Sequence, residues 1–264
     1  MPIQLIAFDY DDTLLADDRT ISDENISAIE YARAKGVKIV PASGRAYSSM
    51  LPYTKLFGGF DAMVATNGSQ VYDASGKRLQ FISVARELVP ELTRFAAEEG
   101  AYLQLYDDEL FLFERDCGES QLYARLAGLQ GRAVGPFSAF PLDFDMPKLL
   151  FIELDPGKMA ALRQKAQARF GQSLAIENSK SMYLEVTNPA ATKGSALRFL
   201  SGHFGIPLGD MMAIGDSGND LPMIELAGVG VAVGNARGFV KEKADFISAP
   251  SSDSGLGKAI RRFV

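Results

Sequence analysis

Thiols and imidazoles are almost missing from this chain of 264 residues: Cys117 is its single cysteine and His203 its single histidine. One cysteine excludes an intrachain disulfide framework and fits a reducing compartment. One of each also excludes most zinc sites, which draw on several such ligands. Cys117 reads as a small, partly buried side chain rather than a nucleophile, because His203 falls in the other half of the fold. Gly202-His203-Phe204-Gly205 reads as a helix end before Pro207. Long apolar runs are missing too, since none reaches the roughly eighteen residues of a membrane span. No basic stretch followed by an apolar one opens the sequence, so the expected location is cytoplasmic, with no membrane partner. Nor is there a block of five or more basic residues. With 27 basic and 33 acidic side chains the net charge is −6, which argues against a nucleic-acid partner. A small anionic substrate stays compatible, because local charge matters more than the total. At 47% apolar and 23% charged residues, the chain can build one large domain or two modest ones.

What is present is acid at the ends of apolar strands. Ile3-Gln4-Leu5-Ile6-Ala7-Phe8 runs into Asp9-Tyr10-Asp11-Asp12-Thr13-Leu14. Carboxylates crowded at the end of a buried strand repel one another, so a cation must neutralise them or they must do chemistry. A second group, Gly215-Asp216-Ser217-Gly218-Asn219-Asp220, follows another apolar strand late in the chain. Together they point to one divalent-metal site built from both ends of the sequence.

The strands share one grammar. Residues 3–8 end in the acids, 37–42 in Ser43-Gly44-Arg45, 62–65 in Thr66-Asn67-Gly68, 211–214 in Gly215-Asp216 and 229–233 in Gly234-Asn235. Short, nearly continuous apolar runs suit strands buried on both faces of a parallel sheet. A helix over 22–35 opens on Ser22 or Asp23 as N-cap and stops at Gly36. Such alternation predicts a doubly wound α/β core, with ligands outside the carboxyl ends of its strands. The middle reads differently. Helices are expected over 88–99, 119–129 and 157–170. Strands are expected over 101–106, 110–114, 148–154, around 173–176 and over 182–186, with Asp107-Asp108-Glu109 as a hairpin-like turn. Residues 131–147, rich in Gly and Pro, read as a loop. The predicted organisation is a parallel-sheet, Rossmann-like core over 1–82 and 187–264, with an inserted α+β domain over 83–186.

These motifs resemble those of the haloacid dehalogenase superfamily of phosphohydrolases. Asp9-Tyr10-Asp11-Asp12-Thr13-Leu14 is similar to its first motif and Ser43-Gly44-Arg45 to its second. Lys193-Gly194 is similar to its third and Gly215-Asp216-Ser217-Gly218-Asn219-Asp220 to its fourth. The inserted middle resembles the α/β cap of the Cof-type subgroup, so the resemblance covers essentially the whole chain. It implies an Mg2+-dependent phosphatase acting on a small phosphorylated metabolite, such as a sugar phosphate or a related phosphomonoester, by way of an aspartyl phosphate. By that resemblance Asp9 is the nucleophile and Asp11 the general acid and base. Asp9, Asp216 and the Asp11 backbone carbonyl hold the metal, while Asp220 orients neighbouring groups. Ser43, Gly44 and Asn219 bind phosphoryl oxygens, and Lys193 stabilises the charge of the transition state.

Two departures stand out. Asp12 occupies a position where Gly is commonest, and Tyr10 replaces an aliphatic residue. Asp12 and Asp17-Asp18 read as turn residues or caps, and Asn235 as a turn residue. Arg45 has two readings, an ion pair with an acid or a contact to substrate. Asn67 likewise reads either as a turn residue or as a substrate or interdomain contact. Two other functions share these features. A phosphomutase uses the same nucleophile. A non-enzymatic phosphoaspartate switch also combines acids, Ser/Thr and Lys on a doubly wound sheet, though such a module is shorter and has no cap. A monomer or a homodimer fits the sequence equally.

Overall fold

The structure is a computed structural model that describes residues 2–16, 19–107 and 110–264. Asp17, Asp18, Asp108 and Glu109, named above, lie outside the described residues. The chain divides into two compact units, Met1–Gln80 with Thr192–Val264, and Phe81–Ala191.

The first stretch of unit one contains β1 (Leu5–Phe8), α1 (Asp23–Ala34), β2 (Lys38–Pro41), α2 (Tyr47–Thr54), β3 (Ala62–Ala65), β4 (Gln70–Asp73) and β5 (Arg78–Phe81). Unit two follows with α3 (Val89–Glu99), β6 (Tyr102–Tyr106), β7 (Phe111–Phe113), α4 (Gly118–Ala127), β8 (Gly131–Ala133), β9 (Leu149–Ile152), α5 (Pro156–Phe170), β10 (Ala175–Lys180) and β11 (Tyr183–Thr187). The chain then returns to unit one with α6 (Lys193–Phe204), β12 (Met211–Gly215), α7 (Leu221–Ile224), β13 (Val229–Ala232), α8 (Gly238–Lys241), β14 (Phe246–Ile247) and α9 (Gly255–Phe263).

The apolar runs of unit one form a five-stranded sheet in the order β14-β13-β12-β1-β2, parallel throughout. All four residues of β1 are buried, as a strand covered on both faces requires. The long-range pairing of β1 with β12 sets Leu5 against Met211 and Phe8 against Ile214. Asp9 and Asp216 therefore leave the sheet on neighbouring strands at the same edge. Around this sheet, Ala28, Ile29 and Ala32 of α1, Ala196, Leu197 and Leu200 of α6, and Leu256, Ala259 and Ile260 of α9 complete one apolar core. Helix α1 starts where expected, with the Asn25 N–H donating to the Ser22 hydroxyl at 3.2 Å.

One strand departs from the reading above. Residues 62–65 were expected to extend the parallel core sheet. They lie parallel beside β2, with the Asp61 N–H donating to the Ile39 carbonyl, the Ser43 N–H donating to the Val64 carbonyl and a parallel bridge from Ala42 to Val64, while their ladder pairing places them in a three-stranded sheet, β3-β4-β5. Directly after β3 the chain reverses and folds β4 back antiparallel onto it, with Ala65 opposite Gln70.

Unit two is a six-stranded sheet in the order β10-β11-β9-β6-β7-β8. Its pairs are antiparallel except β7 with β8. Leu92, Phe95, Leu162 and Phe170 of α3 and α5 pack on one face, against Leu103, Leu105, Phe151 and Leu184. On the other face, Tyr123 of α4 meets Tyr106, Phe111 and Tyr183 edge-on. The helices begin on readable signals. Asp155 caps α5 by accepting from the Lys158 N–H at 2.9 Å, and Pro156 takes the first helical position, where no N–H is needed. Residues 131–147 are not wholly loop: Gly131–Ala133 forms the edge strand β8, paired with β7. Its glycine lets the Phe111 and Phe113 rings lie where a Cβ would stand, 2.4 Å from Phe111.

Candidate active site

The β1–β12 pairing brings the two acidic motifs together. Asp9 is buried at the end of β1, and its N–H donates to the Ile214 carbonyl at 3.0 Å. Lys193 comes to it from the first turn of α6. Thr192 caps that helix, accepting from the Ser195 N–H at 3.0 Å while its own N–H donates to the Ser195 hydroxyl at 3.1 Å. The next residue must be small, because a Cβ on Gly194 would fall 2.4 Å from the Pro222 carbonyl oxygen. This close approach of α6 to α7 buries the Lys193 side chain completely. Its ammonium donates to Asp9 Oδ1 at 2.5 Å and to Asp220 Oδ1 at 2.6 Å. The other Asp220 oxygen accepts from the Asp216 and Ser217 N–H groups, at 2.9 and 3.0 Å. Asp216 follows β12, and its Oδ1 accepts from the Thr13 hydroxyl at 3.2 Å.

Charge in this cluster is out of balance. Burial disfavours the Lys193 ammonium, but Asp220 and Asp9 beside it more than compensate and hold its pKa above the ordinary lysine value. For the acids the balance runs the other way. Burial drives the Asp9 carboxyl well above its usual range, Lys193 opposes, and Asp220 and Asp216 add to the rise. Asp216 is pushed up to about 7 by burial and then by Asp220, against the pull of Lys193. One lysine among three carboxylates leaves room for a further cation. Oxygens of Asp9, Asp216 and Asp220 lie within 4.8 Å of one another. Hard carboxylate oxygens at this spacing fit a small divalent ion. Asp220 already engages both oxygens with Lys193 and backbone donors, which leaves Asp9 and Asp216 as the carboxylates best placed to hold one.

The second motif follows β2. Ser43 N–H donates to the Val64 carbonyl at 2.9 Å, and the Ser43 hydroxyl accepts from the Arg45 N–H at 3.2 Å. Of the two readings of Arg45, the ion pair is found: its guanidinium grips the Asp11 carboxylate. Asn219 is tied to Asn67, its amide N–H donating to Asn67 Oδ1 at 2.9 Å. Asn235 is a turn residue with two tasks, donating to the Asp12 carbonyl at 2.7 Å and accepting from the Ser251 N–H at 2.8 Å. Asp12 has φ +59, a left-handed conformation that glycine adopts most easily and Asp tolerates. That explains why glycine is usual at this position. The Tyr10 side chain is buried, edge-on to Tyr53, with its hydroxyl donating to the Met50 carbonyl.

Two participants escaped the sequence reading. Thr13 lies inside the first motif, and its place four residues after Asp9 is the signal that points to it. Thr66 carried none, since a β-branched residue at φ +50 runs against its own preference.

The description haloacid dehalogenase-like hydrolase matches residues 6–260. The 5-amino-6-(5-phospho-D-ribitylamino)uracil phosphatase YcsE of Bacillus subtilis is 33% identical over 263 residues, spanning 99% of this chain and 96% of that protein. Among solved structures, TM0651 from Thermotoga maritima gives a TM-score of 0.91 at 29% identity, over 99% of this chain and 98% of that one. A haloacid dehalogenase-like hydrolase from Bacteroides thetaiotaomicron gives 0.89 at 27% identity, over 99% and 100%. Among the described residues no helix is long and apolar enough to cross a membrane.

Proposed function

This chain belongs to the haloacid dehalogenase-like hydrolase family, and we propose that it is an Mg2+-dependent phosphatase that takes the phosphoryl group of a small metabolite onto Asp9. It is a phosphoric monoester hydrolase. The single observation that carries the finer reading is the buried cluster in which Lys193 binds both Asp9 and Asp220, with Asp216 alongside.

A phosphate monoester is a dianion and repels nucleophiles, so charge must be cancelled and the attack aligned. The Lys193 ammonium, fixed by two carboxylates, supplies permanent positive charge beside the nucleophile. The Ser43 hydroxyl, the Gly44 N–H and the Asn219 amide supply donors for the phosphoryl oxygens. Asp9 attacks phosphorus, the bond from phosphorus to the ester oxygen breaks, and Asp11 gives that oxygen its proton. Asp11 then takes a proton from water as the water attacks the aspartyl phosphate, which releases inorganic phosphate and restores Asp9. Asp220 keeps Lys193 and the backbone of the Asp216 loop in place throughout. Asp9, Asp216 and the Asp11 carbonyl would hold magnesium, which would add the charge neutralisation that a single lysine does not supply.

The Phe81–Ala191 unit is the cap of this architecture and carries substrate selection. The YcsE likeness supports a substrate with its phosphate on a polyhydroxylated chain, as in a sugar phosphate or a phosphorylated flavin precursor. A phosphate-release screen with Mg2+ over sugar phosphates, ribitylaminouracil phosphate, nucleotides, flavin mononucleotide and pyridoxal phosphate tests this. Preferential release from the first two classes is expected. Preferential release from nucleotides or pyridoxal phosphate contradicts the substrate assignment, and release from no phosphomonoester contradicts the reading as a whole.

A further inference from the structure

Asn67 has no task in the scheme above, yet its backbone and side chain reach several parts of it. Three successive residues adopt positive φ: Thr66 at +50°, Asn67 at +56° and Gly68 at +103°. Glycine takes this conformation freely and Asn tolerates it, whereas a β-branched Thr is strained there. Strain of this kind persists where surrounding contacts over-determine the backbone, and it concentrates at functional sites.

The contacts are specific. The Asn67 N–H donates to the Ser43 carbonyl and the Thr66 N–H to the Arg45 carbonyl, both at 2.9 Å. The turn is thereby stitched to the second motif on either side of Gly44. The Asn67 amide lies against Gly44 itself, where a Cβ would stand 2.9 Å from Asn67 Oδ1. That same oxygen accepts from the Asn219 amide at 2.9 Å. Asn219 is held from its other side by the Ser217 hydroxyl, which donates to its Oδ1 at 2.6 Å. One N–H of the Asn219 amide is thus engaged by Asn67, its oxygen is engaged by Ser217, and the amide's orientation is set. Gly68 packs on the residue that precedes Lys193, since a Cβ there would fall 2.1 Å from the Thr192 carbonyl oxygen.

We propose that Asn67 is a positioning residue for phosphoryl binding. It orients the Asn219 amide and the Ser43–Gly44 backbone as one donor set, in place before the substrate arrives. It touches no reacting atom. Asn meets three demands together: it tolerates the left-handed backbone, presents an acceptor to Asn219, and brings no charge against Gly44. Asp meets the first two and fails the third, and Gly meets the first and third but fails the second. The inference rests on the phosphatase reading, which phosphate release by the wild-type chain tests separately.

The experiment uses the full chain with p-nitrophenyl phosphate as substrate and orthovanadate as inhibitor. Asn67→Gly keeps the backbone and deletes the amide. It is expected to lower kcat about tenfold and weaken vanadate inhibition about tenfold, with an unchanged melting temperature. In the Asn219→Ala background Asn67→Gly is expected to cost little more, because the amide acts through Asn219. Asn67→Asp, which keeps acceptor and backbone and so reports even where the glycine variant does not fold, is expected to retain kcat and raise KM. Wild-type kcat and vanadate inhibition in Asn67→Gly, losses that multiply in the double variant, or a wild-type KM in Asn67→Asp would overturn the proposal.

Discussion

Arg45 holds Asp11 in a two-pronged grip, Nε to Oδ2 at 2.8 Å and Nη2 to Oδ1 at 2.5 Å. Asp11 is the proposed proton donor, and it must part from the guanidinium and take up a proton before it serves a leaving oxygen. The pair is poorly suited to hold the fold together, because the Asp11 side chain is 52% exposed and solvent screens such pairs. Arg45→Met is therefore expected to change stability by less than about 1 kcal/mol, measured by urea denaturation. A larger loss would make the pair a structural bond rather than a releasable one.

Lys193 is the opposite case. Its ammonium is wholly buried between Asp9 and Asp220, so removing it leaves two carboxylates without their counter-charge. Lys193→Met keeps the volume and deletes the charge. It is expected to abolish turnover and to cost about 3–5 kcal/mol of stability near neutral pH. The loss should shrink towards pH 4, because the Asp9 carboxyl, already raised by burial, takes up a proton instead. Urea melts at both pH values check this, and an equal loss at both would contradict it.

Asp216 gives the pH dependence a sign. Its folded pKa of about 7 lies above the ordinary 3.8, so the folded state binds this proton more tightly than the unfolded chain does. Its contribution to stability is fully present below pH 4 and is lost as the pH rises through 7. At about 1.4 kcal/mol per tenfold change in proton affinity, charging Asp216 costs the metal-free fold up to about 4 kcal/mol. A divalent cation reverses that loss. Magnesium is therefore expected to raise the melting temperature more at pH 8 than at pH 6, with a proton released to buffer on binding near pH 7. EDTA should silence turnover and magnesium restore it, while calcium, with its looser coordination, should not. A magnesium-induced shift that is equal at both pH values, or larger at pH 6, would contradict the assignment of Asp216 as a ligand.

The parts of this protein legible in its sequence are those where one physical demand dominates. Leu5–Phe8 and Met211–Gly215 are wholly apolar because they are covered on both faces, and that is why the edge carrying Asp9 and Asp216 could be read in advance. Strands β4 and β5 were not read. Gln70–Asp73 sets polar residues at both ends of two apolar ones although three of the four are buried, and Arg78–Phe81 alternates polar with apolar over only four half-buried residues, too short a stretch to mark a strand by itself. Gly131–Ala133 is exposed and only three residues long, so nothing but its pairing with β7 makes it a strand. Side-chain partnerships were the least legible. Arg45 could be named as a residue needing a partner, but that the partner is Asp11 depends on how the loops after β1 and β2 leave the sheet. The turn at Thr66 opposes local preference outright, and only its long-range hydrogen bonds to the second motif account for it.

The central claim is that the Asp9 carboxylate takes the phosphoryl group. The most direct measurement is the mass of the Asp9 peptide from acid-quenched Asp11→Asn protein after one turnover of p-nitrophenyl phosphate, with Asp9→Asn as control. With proton transfer to the attacking water removed, the covalent species should accumulate. The account predicts about 80 Da (one HPO3, as phosphoryl transfer to a carboxylate adds) on that peptide, with none in the control. Phosphate release at the wild-type rate from the Asp9→Asn control, or the added mass on any other residue, would contradict it.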